Sequence, residues 1–166
     1  MRFTIAFLVF LALTTNGRAQ APKIDRIEIF QTGIFKAKET GTAAAPGTAT
    51  GQVSNLSDIQ HVRTTNAIPG QLGIRFGYRY RIIGAPRGAR VTLRMITLIP
   101  SPGIRDPKSG NTIVRGEYSR ERTIGQEHYR DYGFDDTWEI VPGVWTFEIW
   151  QGDRKLSSQT FTVAKP

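Results

Sequence analysis

The sequence predicts an all-β chain, a single immunoglobulin-like antiparallel β-sandwich of about eight or nine strands. Three observations carry this. Leu72, Ile74, Phe76, Tyr78, Tyr80 and Ile82 alternate with Gly73, Arg75, Gly77, Arg79 and Arg81, a strict period of two that sets an apolar face against a basic one. No window of eleven or more residues carries a convincing helical period. Short apolar runs are separated by Gly and Pro turns at the spacing of a sandwich or small barrel. With no Cys in the chain, the disulfide of antibody domains is absent, so the analogy is to the wider sandwich class. A two-sheet sandwich and a partly open barrel give the same alternation, and both stay open here.

Taken in order, Ile24, Ile27 and Ile29 begin a first strand that continues through Ile34-Phe35 to Glu39 after a bulge at Gly33. Residues 40–52 are small and polar with no period and read as a mobile loop. Ile59 to Ile68 is a weaker strand ending at Pro69-Gly70. The 72–82 strand is followed by a turn at Gly84-Ala85-Pro86-Arg87-Gly88. The next strand sets Val91, Leu93, Met95 and Ile99 against Arg90, Thr92 and Arg94. Pro100 to Gly110 is a loop, Ile113 to Ile124 a polar edge strand, Gly125 to Gly133 a loop, and Phe134 to Val141 a strand. Val144 to Trp150 alternates with Trp145, Phe147 and Ile149 on one face. A turn at Gln151-Gly152-Asp153-Arg154 leads into a last strand, Leu156 to Val163. The two halves show no likeness, so the expectation is one domain.

The first residues read as an export signal. Met1-Arg2 is a positive start, Phe3 to Leu13 is apolar apart from Thr4, and Gly17-Arg18-Ala19 places small residues where a signal peptidase reads. The apolar run is about half the roughly 20 residues needed to span a bilayer. The expectation is cleavage after Ala19, leaving 20–166 as one domain in the periplasm or outside the cell, with no transmembrane segment. Of the 22 Lys and Arg in the 166 residues, Arg2 and Arg18 go with the signal, which leaves +6 against 14 Asp and Glu. Zero Cys excludes a thiol nucleophile and Cys-ligated metal.

Several marks recur in order along the chain. They are the Ile24-to-Ile34 opening, Ile68-Pro69 with Gly73-Ile74-Arg75-Phe76-Gly77, and Pro100-Ser101-Pro102-Gly103. The most specific is Trp138-Glu139-Ile140-Val141-Pro142-Gly143-Val144-Trp145-Thr146-Phe147-Glu148-Ile149-Trp150. In these the chain resembles the domain-of-unknown-function family 3859, from about Ile24 to Val163. The resemblance implies an exported bacterial β-rich domain and brings no activity, ligand or catalytic residue with it.

The residues offer little catalytic chemistry of their own. His61 and His128 lie far apart, and only Glu127 and Asp131 stand near His128, so no metal site is expected. Glu127, Asp131, Asp135, Asp136 and Glu139 form an acidic stretch that suits glycan hydrolysis by paired carboxylates or, more plainly, cross-strand ion pairs with the basic strands. No nucleophile elbow, nucleotide-binding glycine loop or Ser–His–Asp pattern is readable, and no cofactor is expected.

Arginines are the strongest hint. Residues 62–122 carry twelve basic side chains against three acidic ones. If 72–83 and 89–99 form a hairpin, Arg75, Arg79, Arg81, Arg90 and Arg94 share its outer face, where planar guanidinium forks suit carboxylate, phosphate or sulfate. Trp150, on the face opposite Trp145, adds a candidate contact. The expectation is a non-enzymatic binding module for an anionic envelope polymer or acidic protein. A glycan hydrolase using 127–139 and a small outer-membrane barrel are the alternatives. Arg75-Phe76-Gly77-Tyr78-Arg79-Tyr80 resembles an RNA-binding strand, but its aromatics fall on the core face, so no nucleic acid is expected.

Overall fold

The computed structural model describes residues 21–165. The expected signal segment, residues 1–19, lies outside them. Eleven strands are present: β1 (Lys23–Ala44), β2 (Gln52–Arg63), β3 (Ala67–Ile68), β4 (Arg75–Ala85), β5 (Arg90–Leu98), β6 (Ile104–Arg105), β7 (Thr112–Ile113), β8 (Arg115–Thr123), β9 (Glu127–Gly133), β10 (Gly143–Gln151) and β11 (Arg154–Val163). Nine of them build two sheets, ordered β2-β1-β4-β9 and β3-β11-β10-β5-β8, and β6 pairs only with β7. All pairings are antiparallel except β3 with β11. The strands therefore form a two-sheet sandwich.

The core follows the alternation. Phe76, Tyr78, Tyr80 and Ile82 of β4 are buried, as are Val91, Leu93 and Met95 of β5 and Trp145, Phe147 and Ile149 of β10. Phe76 is the hub, with Phe134, Trp145, Phe147 and Phe161 ring centroids all within 5.8 Å of its own. Each such buried aromatic contributes on the order of 2 kcal/mol through area removed from water. Leu72 breaks the expected pattern: it precedes β4 and is exposed.

The expected hairpin of 72–83 with 89–99 does not form. β4 is already flanked by β1 and β9, and β5 by β10 and β8. Residues 86–89 carry the chain from one sheet to the other, so the two apolar rows bury against each other across the core. Face-to-face packing covers both rows, whereas side-by-side pairing would leave each in need of another layer.

Residues 40–52, expected as a loop, belong mostly to a long hairpin. β1 runs past β4 and pairs with β2 from Ile34↔Arg63 to Ala44↔Gln52, with register shifts beside Phe35 and beyond Lys36. The bulge expected at Gly33 is not there: β1 keeps register with β4 through Gly33, at φ 133°, and shifts instead between Ile24 and Arg26 and between Ile29 and Gln31. The distal half of this hairpin forms an arm that reaches the other sheet. Gly47 O accepts from the Glu117 N–H at 2.8 Å, and Arg120 donates to Asn55 Oδ1 at 2.9 Å.

Two further expectations are corrected. Of residues 125–133, expected as a loop, Glu127–Gly133 form β9. Its inward side chains, His128, Arg130 and Tyr132, pair with Tyr80, Tyr78 and Phe76, and their polarity hid the strand. Residues 134–141 contain a single 3-10 turn, Thr137–Glu139, rather than a strand. There the Glu139 carboxylate accepts from the N–H groups of Asp135 and Asp136 and closes the backbone on itself. The polar edge strand is found as expected, as β8 at the border of its sheet.

Candidate functional site

The five arginines expected on one face lie on two. Arg75, Arg79 and Arg81 are on β4 in one sheet, and Arg90 and Arg94 are on β5 in the other. Most are paired. Arg75 meets Asp131, with Asp135 at 3.7 Å, and Arg79 meets Glu127 and donates to Ile59 O at 2.6 Å. Arg90 lies 3.1 Å from Glu121 and Arg94 3.4 Å from Glu117. The acidic residues of β9 thus act as cross-strand partners of β4. Among the described residues Arg81 has no carboxylate at ion-pair distance; its guanidinium stacks 5.7 Å over Phe30.

Trp150 does not present a free ring. Arg94 lies 5.8 Å and Lys155 5.6 Å from its ring centroid, and its indole N–H donates to Glu148 Oε2 at 2.8 Å. Burial opposes the charge of Glu148, but Lys155 and the Trp150 indole hold its carboxyl below the usual range. The stack is a packed cation–π cluster on the outer face of the five-stranded sheet.

Two concave places stand out among the described residues. The first is a recess of about 490 Å³ at the end of β4, lined by Arg81, Ile82, Ile83, Gly84, Arg87, Gly125 and Glu127. Gly125 sits at φ 85°, and a Cβ there would stand 3.0 Å from Arg87 Nε. The missing side chain seats the Arg87 guanidinium against the β8–β9 turn. Glu127, the acid of the recess, is held by Arg79. Arg87 lay in the expected turn, and nothing in its local sequence set it apart.

The second is a cleft between β8 and β9, beneath the arm. Arg75, Arg120, Asp131, Asp135, Tyr118 and Glu139 line it, with Gln52 and Ser54 from the arm. Glu139 is buried; its carboxylate accepts from Tyr132 OH at 2.9 Å as well as from the two N–H groups. Burial pushes the Glu139 carboxyl up, against those hydrogen bonds. Burial pushes Asp131 up as well, and Arg75 opposes this only in part. Three members of the acidic stretch are thus gathered in one cleft, but Asp131 is committed to Arg75 and Glu139 to its hydrogen bonds.

His61 and His128 stay apart, each bound locally. His61 Nε2 lies 3.1 Å from Thr32 O, and His128 Nε2 lies 2.9 Å from Thr123 O. Among the described residues no group of three or more His, Asp or Glu is arranged to hold a metal.

The structure is similar to an immunoglobulin-like protein from Pseudomonas aeruginosa, with 25% identity, a TM-score of 0.59 and coverage of 89% of this chain and 100% of that one. Two looser overlaps each cover 84% of this chain at 13% identity. One is with an alkylpurine DNA glycosylase from Pseudomonas fluorescens, 31% of that chain at a TM-score of 0.43. The other is with a beta-D-glucoside glucohydrolase from Trichoderma reesei, 19% of that chain at 0.35. Both are too weak to bear on function. No curated protein matches the chain. The family model for the domain of unknown function DUF3859 matches residues 23–163, and the chain belongs to that family.

Proposed function

We propose that the mature chain is an exported, non-enzymatic binding module that holds a phosphate- or carboxylate-bearing envelope polymer at the recess between β4 and the β8–β9 turn. One observation carries this reading. Arg81 and Arg87 line the same recess, among the described residues neither has a carboxylate at ion-pair distance, and the recess's own acid is taken by Arg79. Two guanidinium forks with no carboxylate at ion-pair distance favour an oxyanion. Stacking on Phe30 and seating against Gly125 orient them before a ligand arrives. The commitments of Asp131 and Glu139 favour binding over hydrolysis. Export is supported by the Met1-Arg2 start, the apolar Phe3-to-Leu13 run and the small residues Gly17 and Ala19.

Co-sedimentation with purified peptidoglycan sacculi and with lipopolysaccharide vesicles tests the binding. The protein is expected to sediment with one of them at about 0.05 M salt and to be released at about 0.5 M, as screening shortens. R81E/R87E should abolish sedimentation while leaving the melting curve intact. Sedimentation unchanged in that variant overturns the reading. Recovery from the periplasm or medium of a chain beginning at Gln20 supports export, and a full-length chain confined to the cytoplasm refutes it.

A further inference from the structure

The cleft beneath the arm has a chemistry that the anion recess does not. Its volume of about 110 Å³ is several times the roughly 10–15 Å³ that a single water requires, so it admits a small polar organic group. The walls come from both sheets and from the arm, so the cleft exists only in the assembled sandwich.

Donors and acceptors both line it. Arg75 and Arg120 have guanidinium N–H groups besides those given to Asp131 and Asn55, and the carboxylates of Asp131 and Asp135 have oxygens besides the Asp131 Oδ2 held by Arg75. Asp135 is the less committed acid, 63% exposed and 3.7 Å from Arg75. Gln52, on the arm, offers an amide that both donates and accepts. Charges of the two signs nearly balance, so the cleft does not select an ion as the Arg81–Arg87 recess does. A group that donates and accepts at the same atom, a hydroxyl, suits such a mixed lining. The Tyr118 and Tyr132 side chains that also line the cleft add aromatic surface to it.

We propose that this cleft binds a single polyhydroxylated six-membered ring, either a free monosaccharide or the end residue of a glycan, with the β1–β2 arm as its cover. The arm contributes Gln52 and Ser54 to the wall. It is tied to β8 by the Gly47–Glu117 backbone bond and the Arg120–Asn55 bond. Arg120 thus joins the cover to the site. The proposal is independent of the anion recess, and neither depends on the other.

Saturation-transfer NMR on the purified protein tests it, with D-glucose, D-galactose, N-acetyl-D-glucosamine and myo-inositol each at millimolar concentration. The chitin tetramer is then used to separate a glycan end from a free sugar. Transfer to at least one ring is expected. D131N and R120Q should each weaken it about ten-fold or more, as for a lost hydrogen bond to a charged group, and R81E/R87E should leave it unchanged. Amide shift mapping on the unaltered protein gives a second readout that needs no variant. Perturbations should fall on residues 48–54, 116–120 and 131–135. No transfer from any of the probes, or shifts confined to other surfaces, overturns the proposal. Tetramer binding without monosaccharide binding narrows the ligand to a glycan end.

Discussion

The guanidinium of Arg130 on β9 donates to the main-chain carbonyl of Glu148 on β10, in the opposite sheet. It also donates to Ile96 O and Thr97 Oγ1 of β5, and lies 5.2 Å over the Phe147 ring. Arg130 is buried, and among the described residues no carboxylate pairs with it. One side chain therefore joins the edge strand of one sheet to two central strands of the other. R130A leaves a cavity and two carbonyls short of a donor, at a loss of about 3 kcal/mol. Urea denaturation measures this, and a loss below about 1 kcal/mol would show that the bridge contributes little.

The backbone of β2 closely approaches Gly33. A Cβ there would lie 1.9 Å from Arg63 O, at φ 133°. G33A should cost about 3 kcal/mol or more. Gly73, at φ 76° with open space around it, is the control, and G73A should cost about 1 kcal/mol. Equal losses would mean that strain alone, without the close approach, sets the cost.

Burial lowers the pKa of His128, with Arg122 adding to this and the Thr123 backbone and Glu127 opposing. Its ring takes a proton less readily when folded than when unfolded. The contribution to stability is present above the ordinary histidine value of about 6.5 and is lost as pH falls through the lower folded value. The unaltered protein should therefore lose more stability than H128Q between about pH 7 and pH 5. Parallel pH profiles for the two would remove His128 as the cause.

Arg75 and Asp131 are paired with side chains only 13% and 15% exposed. Removing one partner strands the other charge, so R75M and D131N should each cost about 3 kcal/mol. R75M/D131N should cost about 2 kcal/mol less than the sum of the two. Additive losses in this double-mutant cycle would place the stabilisation elsewhere.

The alternations on β4, β5 and β10 could be read directly because each strand has one fully apolar side and one basic or polar side. β9 could not, because its core-facing positions are His128, Arg130 and Tyr132, which carry polar atoms that find partners only once the other sheet is in place. The same holds for the arm. Residues 40–44 and 52–58 have little apolar content, and their pairing depends on β1 continuing past β4, not on local pattern. Among the described residues, Arg81 was the one member of the expected arginine set with no carboxylate at ion-pair distance. Arg87 and Arg120 acquired their interest from Gly125 and Asn55, distant from them in sequence.

Local pattern carried the all-β class, the β8 edge strand and the main core residues, since strand periodicity and turn chemistry are properties of neighbouring residues. Which strands shared a sheet, which arginines were neutralised and where concave surface opened depended on long-range pairing. β4 and β5 illustrate the division. Their faces could be assigned residue by residue, yet whether those faces lay side by side or across a core was settled by β1, β9, β10 and β8 occupying their edges.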